Sequence, residues 1–254
     1  MLFDSHAPYN DEAFDSDRDE FLTALPSNGV GRVINVGCSL ASSRDCTALA
    51  HQYDFIWAAI GSHPDDADHV DEERIEVYRK LAADPRVVAI GEIGLDYHYE
   101  DVPRAQQKIA FERQLQLAQE LDLPVIVHER EAHGDGMDLI RKYPDVRGVF
   151  HCYSGEVEMA RELIRRGWYV GFTGVLTFKN ARKAVETASE VPVDRILIET
   201  DCPYMAPEPY RGTRSDSVKM ARTAEKLAGL RGVSFEEISK ITWENACRLF
   251  RLPE

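Results

Sequence analysis

Residues 87–95 read VVAIGEIGL, a run of β-branched and small apolar residues broken by one carboxylate, Glu92. Runs this short and this rich in valine and isoleucine predict a buried parallel strand, covered on both faces. The same figure recurs along the chain. His6 closes LFDSH (2–6), Glu92 closes VVAIGE (87–92) and His128 closes PVIVH (124–128). His151 closes RGVFH (147–151) and Asp201 closes ILIETD (196–201). Further strands are predicted at RVINVG (32–37), FIWAAIGSH (55–63) and YVGFTG (169–174), and a stretch with helical spacing follows each strand. Ile75, Tyr78, Leu81 and Ala82 share one helix face, as do Phe111, Leu115, Ala118 and Leu121, and Val157, Ala160 and Ile164. Ser234 with Glu237 has capping-box spacing and opens the last helix. Strict strand–helix alternation implies a parallel sheet, and eight units close it. The predicted fold class is α/β, a (β/α)8 TIM barrel in a single domain, 1–254. A doubly wound open sheet is the competing architecture. It would want a Gly-x-Gly-x-x-Gly turn after a strand, and the sequence has none.

The chain has 254 residues, 44% of them hydrophobic, enough for a substantial core. No apolar run is long enough to span a bilayer, and MLFDSHAPYN lacks the basic and apolar segments of a signal peptide, so a cytoplasmic location is expected. The five cysteines (38, 46, 152, 202 and 247) are odd in number and form no Cys-x-x-Cys pair, which predicts free thiols in a reducing compartment. A net charge of −14 opposes broad attraction to nucleic acid and argues against a protein that coats DNA. It does not exclude a nuclease, because bound cations reverse the sign locally.

Polar, metal-capable side chains gathered at the carboxyl ends of barrel strands predict a metal site in the barrel mouth. A hydrolytic metal site takes imidazole and carboxylate ligands from separate elements on a rigid frame. His6, Glu92, His128, His151 and Asp201 offer three imidazoles and two carboxylates. A carboxylate can bridge two ions, and Glu92, on a central strand, suits that role. Two ions roughly 3.5–4 Å apart would polarise a phosphoryl group and deprotonate a water. Any one of these residues alone would be weak: a lone histidine at a strand end is commonly a hydrogen-bonded core residue, and a lone aspartate caps the next helix. Loop 202–217, rich in Pro and Gly, follows the eighth strand and carries Arg211 and Arg214, and segment 97–104 follows the fourth. Asp4 shares the face of His6 and is a candidate to fix its ring. No aromatic-rich stacking platform is evident.

The chain resembles the TatD family of metal-dependent deoxyribonucleases, a branch of the amidohydrolase-like barrels, nearly end to end. The resemblance rests on FDSH (3–6), GSHP (61–64), AIGEIGLDY (89–97), PVIVHER (124–130), HCYSG (151–155), FTGVLTFKN (172–180), ETDCPYMAPEPYRG (199–212) and ENACRLF (244–250). It implies that Glu92 bridges two divalent cations (Mg, Mn or Zn), one also held by His128 and His151 and the other by His6 and Asp201. It further implies that Asp201 orients or deprotonates the attacking water, and that His63, Arg130 and the Arg211 loop lie near the scissile phosphate. The implied activity is a 3′-to-5′ exonuclease on single-stranded DNA; from the sequence itself, no membrane and no obligate protein partner are expected. The family's opening motif has a second histidine two residues after the first; here that position is Pro8, which has no donor atom. Two other readings stay open: hydrolysis of an amide or ester, such as D-aminoacyl-tRNA deacylation, and a metal- or nucleic-acid-binding relative weakened in catalysis.

Overall fold

The computed structural model describes residues 1–99 and 101–253; Glu100, within the 97–104 segment, and the final Glu254 lie outside the described residues. In chain order the elements are β1 (Leu2–Asp4), α1 (Arg18–Ala24), β2 (Val30–Val36), α2 (Leu40–Gln52), β3 (Ile56–Ile60), α3 (Glu72–Leu81) and β4 (Val87–Asp96). There follow α4 (Arg104–Leu121), β5 (Val125–Arg130), α5 (His133–Lys142), β6 (Gly148–Phe150), α6 (Val157–Arg165) and β7 (Tyr169–Phe172). The chain ends with α7 (Arg182–Glu190), β8 (Ile196–Ile198), α8 (Ala221–Arg231) and α9 (Phe235–Phe250). Strand order in the sheet follows chain order from β1 to β8. The chain forms two compact units, Val36–His151 and the pair of segments Met1–Asn35 and Cys152–Glu254. Among the described residues no helix is long and apolar enough to cross a membrane.

In the unit Val36–His151, β4 is buried along its whole length and pairs in parallel with β3 and β5. Its mostly apolar sequence, interrupted by Glu92 and ended by Asp96, reflects that double coverage. Two buried glutamines of α4 tie helix to strands. Gln114 accepts from the Ser62 N–H (2.8 Å) and donates to the Ser62 carbonyl (3.0 Å). Gln107 does the same for Asp96, accepting from its N–H (2.9 Å) and donating to its carbonyl (2.8 Å).

In the other unit, β1 pairs with β2 and β7 with β8, all parallel. Helix α9 opens where expected, with Ser234 Oγ accepting from the Glu237 N–H at 3.1 Å. It packs Trp243 and Phe250 on the Phe3 ring, at 5.6 and 6.1 Å between centroids. All five cysteines carry free thiols.

The strands differ in extent from the apolar runs. The ladders of β1, β6 and β8 stop before His6, His151 and Asp201, which sit two, one and three residues beyond them. Glu92 does not close its strand: β4 continues to Asp96. The pairing with β5 shifts register between Ile90 and Ile93, three residues on β4 spanning two on β5. Such a bulge re-aims one side chain without ending the strand. Apolar pattern alone cannot reveal it.

Candidate metal centre

Within the unit Val36–His151 three ligand atoms converge. Glu92 Oε1 lies 2.7 Å from His151 Nε2 and 2.9 Å from His128 Nδ1, and the two nitrogens are 3.3 Å apart. Glu92 and His151 are buried. Backbone bonds fix the origins of these side chains: the Glu92 N–H donates to the Gly37 carbonyl (2.9 Å) and the His151 N–H to the Val127 carbonyl (3.0 Å). Gly94 is paired with His128 across the sheet, at φ +145°. A Cβ there would lie 1.9 Å from the His128 carbonyl oxygen, so only glycine permits the approach.

His63 stands beside this group. Its Nε2 is 3.8 Å from Glu92 Oε1, its ring centroid is 4.4 Å from that of His128, and its Nδ1 accepts from the Asp65 N–H (3.3 Å). His63, Glu92 and His128 offer donor atoms within 4.8 Å of one another. Arg130 lies over the exposed ring of Tyr99, 5.3 Å from its centroid, and His98 meets the same ring edge-on at 4.9 Å. His98 is also paired with Glu131 at 2.8 Å.

The far side of His128 carries a residue that the motif pattern did not single out. Asp96 Oδ2 lies 3.0 Å from His128 Nε2, and Asp96 is buried. Burial pushes the Asp96 carboxyl up. The hydrogen bonds from His128 and the His98 N–H, with the charges of His128 and Arg130, outweigh it and hold the group below the usual carboxylate range. Burial pulls His128 down, but its bonds to Asp96 and Glu92 and their charges win and push it up to about 10.

In the unit formed by Met1–Asn35 and Cys152–Glu254, His6 and Asp201 meet. His6 is wholly buried, and its Nε2 is 3.5 Å from Asp201 Oδ1. The Asp201 N–H donates to the His6 carbonyl (3.0 Å), and Asp201 takes a left-handed φ of +56°, which aspartate tolerates better than most residues. Asp4 organises both ends. Its Oδ1 accepts from the main-chain N–H groups of His6 (3.2 Å) and Thr200 (3.1 Å), and its Oδ2 from the hydroxyls of Thr200 (2.7 Å) and Ser217 (2.6 Å). Asp4 therefore acts on the His6 main chain, where ring fixation was expected. Burial raises its carboxyl to about 6, against the lowering effect of these bonds. Glu199, also buried, accepts from the Cys152 N–H (2.6 Å) and Ser5 Oγ (3.2 Å).

The two loop arginines part company. Arg214 is engaged structurally, bonding both oxygens of Asp17 at 2.7 and 2.6 Å and lying 4.6 Å over the Phe14 ring. Arg211 is exposed, 4.4 Å over the Phe178 ring. Tyr204 and Tyr210 on the same loop are exposed as well. With Tyr99, they supply exposed aromatic rings that the sequence reading did not find.

The donor set fits a divalent cation. Ligands about 2.0–2.1 Å from a tetrahedral ion lie roughly 3.3 Å from one another. The two imidazole nitrogens stand at that spacing, 3.3 Å, while Glu92 Oε1 lies nearer to each, at 2.7 and 2.9 Å. A carboxylate and two imidazoles of mixed hardness suit zinc or manganese, and a carboxylate-rich set suits magnesium.

Comparison with known proteins agrees. The family model "TatD related DNase" matches residues 3–251. Metal-dependent hydrolase YabD of Bacillus subtilis (strain 168), described as uncharacterized, is 43% identical over 99% of this chain and 100% of its own. The 3′-5′ ssDNA/RNA exonuclease TatD of Cronobacter sakazakii is 36% identical over 98% of this chain and 97% of its own. The crystal structure of YjjV, a TatD homolog from Escherichia coli K12, superposes with a TM-score of 0.93 at 28% identity, covering 99% of this chain and 98% of that one. The fold is thus the (β/α)8 barrel, and the protein class is metal-dependent hydrolase. The chain belongs to the TatD-related DNase family.

Proposed function

We propose that this protein is a divalent-metal-dependent phosphodiesterase that removes nucleotides from the 3′ end of single-stranded DNA. The observation that carries the reading is the convergence of Glu92 Oε1, His128 Nδ1 and His151 Nε2 within 3.3 Å. The ligand set is the one the family resemblance implies: Glu92, His128 and His151, with His6 and Asp201. One or two bound ions would polarise a phosphoryl oxygen and lower the pKa of water. Glu92 and Asp201 are the catalytic carboxylates, and Asp201 takes the proton of the attacking water. His63, Arg130 and Arg211 are the substrate contacts, because a histidine and two arginines can donate to phosphate oxygens. Exposed Tyr99, Tyr204 and Tyr210 support an unpaired substrate, since bases stack on aromatic faces only when free of a partner strand. The free thiols fit a cytoplasmic setting. On this reading, residues 1–254 act as one catalytic domain.

The test is metal-free protein restored with Mg²⁺, Mn²⁺ or Zn²⁺ and assayed on end-labelled single-stranded DNA and on an aminoacyl-tRNA ester. Stepwise shortening from the 3′ end is the expected result. Hydrolysis of the ester alone would replace this reading with carbonyl chemistry, and activity on neither would favour the binding role.

A further inference from the structure

We propose that Asp96 is a positioning residue that decides which nitrogen of His128 faces the metal centre. The inference rests on reading Glu92, His128 and His151 as ligands. A neutral imidazole has one N–H and one lone pair, and only the nitrogen with the lone pair can bind a cation. Asp96 Oδ2 is 3.0 Å from His128 Nε2. Both ring nitrogens face a carboxylate, which can only accept; with Glu92 engaged by a cation, Asp96 is the acceptor left for the ring proton and holds it on Nε2. The lone pair then falls on Nδ1, the atom 2.9 Å from Glu92 Oε1 and 3.3 Å from His151 Nε2.

Asp96 is itself held on every side. Its Oδ1 accepts from the His98 N–H at 2.8 Å, and Gln107 grips its main chain at both N–H and carbonyl. Its register partner on β5 is Arg130, two residues from His128, so the carboxylate and the imidazole ride on paired strands. A metal-bound imidazole steered by a carboxylate is a recurrent way to fix ring orientation and raise ligand basicity, and its loss typically weakens metal binding about 10–100-fold.

Asp96→Asn is the informative change. With its oxygen kept by the His98 N–H, the new amide presents a donor to Nε2. Nε2 must then accept, and the ring proton moves to Nδ1, the nitrogen meant for the cation. Zn²⁺ affinity is measured by competition with a chromophoric chelator, on natural protein and on Asp96→Asn. In parallel, ¹⁵N-histidine NMR of the zinc-loaded natural protein reports which nitrogen of His128 carries the proton, assigned by loss of its signals in His128→Gln. The expected results are zinc on Nδ1 with a proton on Nε2 in the natural protein, and an affinity for one zinc equivalent about 10–100-fold weaker in Asp96→Asn. Zinc on Nε2, or unchanged affinity in a folded Asp96→Asn, overturns the role of Asp96 while leaving the metal reading standing. A natural protein that binds no zinc, manganese or magnesium overturns the metal reading and this inference together. If Asp96→Asn fails to fold, the spectrum of the natural protein decides alone.

Discussion

Glu92 sits nearly buried between two imidazoles, and a protein interior tolerates such a group only with compensating positive charge. Beside it, the hydrogen bonds and charges of Asp96 and Glu92 favour the protonated form of His128. A divalent cation would supply the same charge. Asp201 is partly exposed, which suits the proton-accepting role proposed for it. Asp201→Asn keeps its shape and loses its charge; steady-state assays on single-stranded DNA should show turnover reduced by about 10²–10⁴-fold, with circular dichroism unchanged. Wild-type turnover would remove Asp201 from the mechanism. Pro8 bears on stoichiometry. Its segment is pinned by the Ala7 N–H to the Ile34 carbonyl (3.0 Å) and the Tyr9 N–H to Asn35 Oδ1 (2.7 Å). The His6–Asp201 pair gains no imidazole from it, so the dialysed protein should hold closer to one ion than two. Pro8→His should raise that content, as read by elemental analysis; equal content in both proteins would show that Pro8 is immaterial. His6, Glu92, His128, His151 and Asp201 were legible because a metal-capable type at the end of an apolar run is conspicuous. Asp96 was not, because an aspartate after a strand looks like an ordinary turn residue until its partner across the sheet is known.

At the scale of elements, two devices hold the ligands still. Gly94 lets β4 pass against the His128 carbonyl, and its φ of +145° lies where side chains are strained. Gly94→Ala should cost about 1–3 kcal/mol in denaturant melts and weaken metal binding, because the clash displaces the His128 main chain. A variant equal to the natural protein in both would show that the approach is not tight. Gln114 clamps the Ser62 peptide next to His63, and removing it leaves a buried N–H and carbonyl without that partner. Gln114→Ala should lose about 1–3 kcal/mol, measured by the urea midpoint, and an unchanged midpoint would count against the clamp. Both glutamines left a trace in the sequence: polar residues seven apart, on the α4 face that Ala110, Phe111 and Ala118 bury. The bulge at Glu92 left none, since it is a property of pairing between strands, and hydropathy records only which strands are covered.

For the whole molecule, the eightfold alternation was readable because buried parallel strands need continuous apolar runs and the amphipathic helices between them need another period. Runs and ladders still differ at the ends of β1, β6 and β8, where the last residues of each run are polar and lie beyond the ladder. A net charge of −14 works against broad binding of nucleic acid, and on the proposed function bound cations offset it at the site. On the proposed function, Glu92 is where metal binding and chemistry depend on the same side chain. The most direct measurement is therefore the metal content and the cleavage rate of Glu92→Gln, determined on the same folded sample beside the natural protein. The account predicts loss of bound divalent ion and a drop in single-strand cleavage of at least about 10²-fold; full metal content with undiminished cleavage would contradict it.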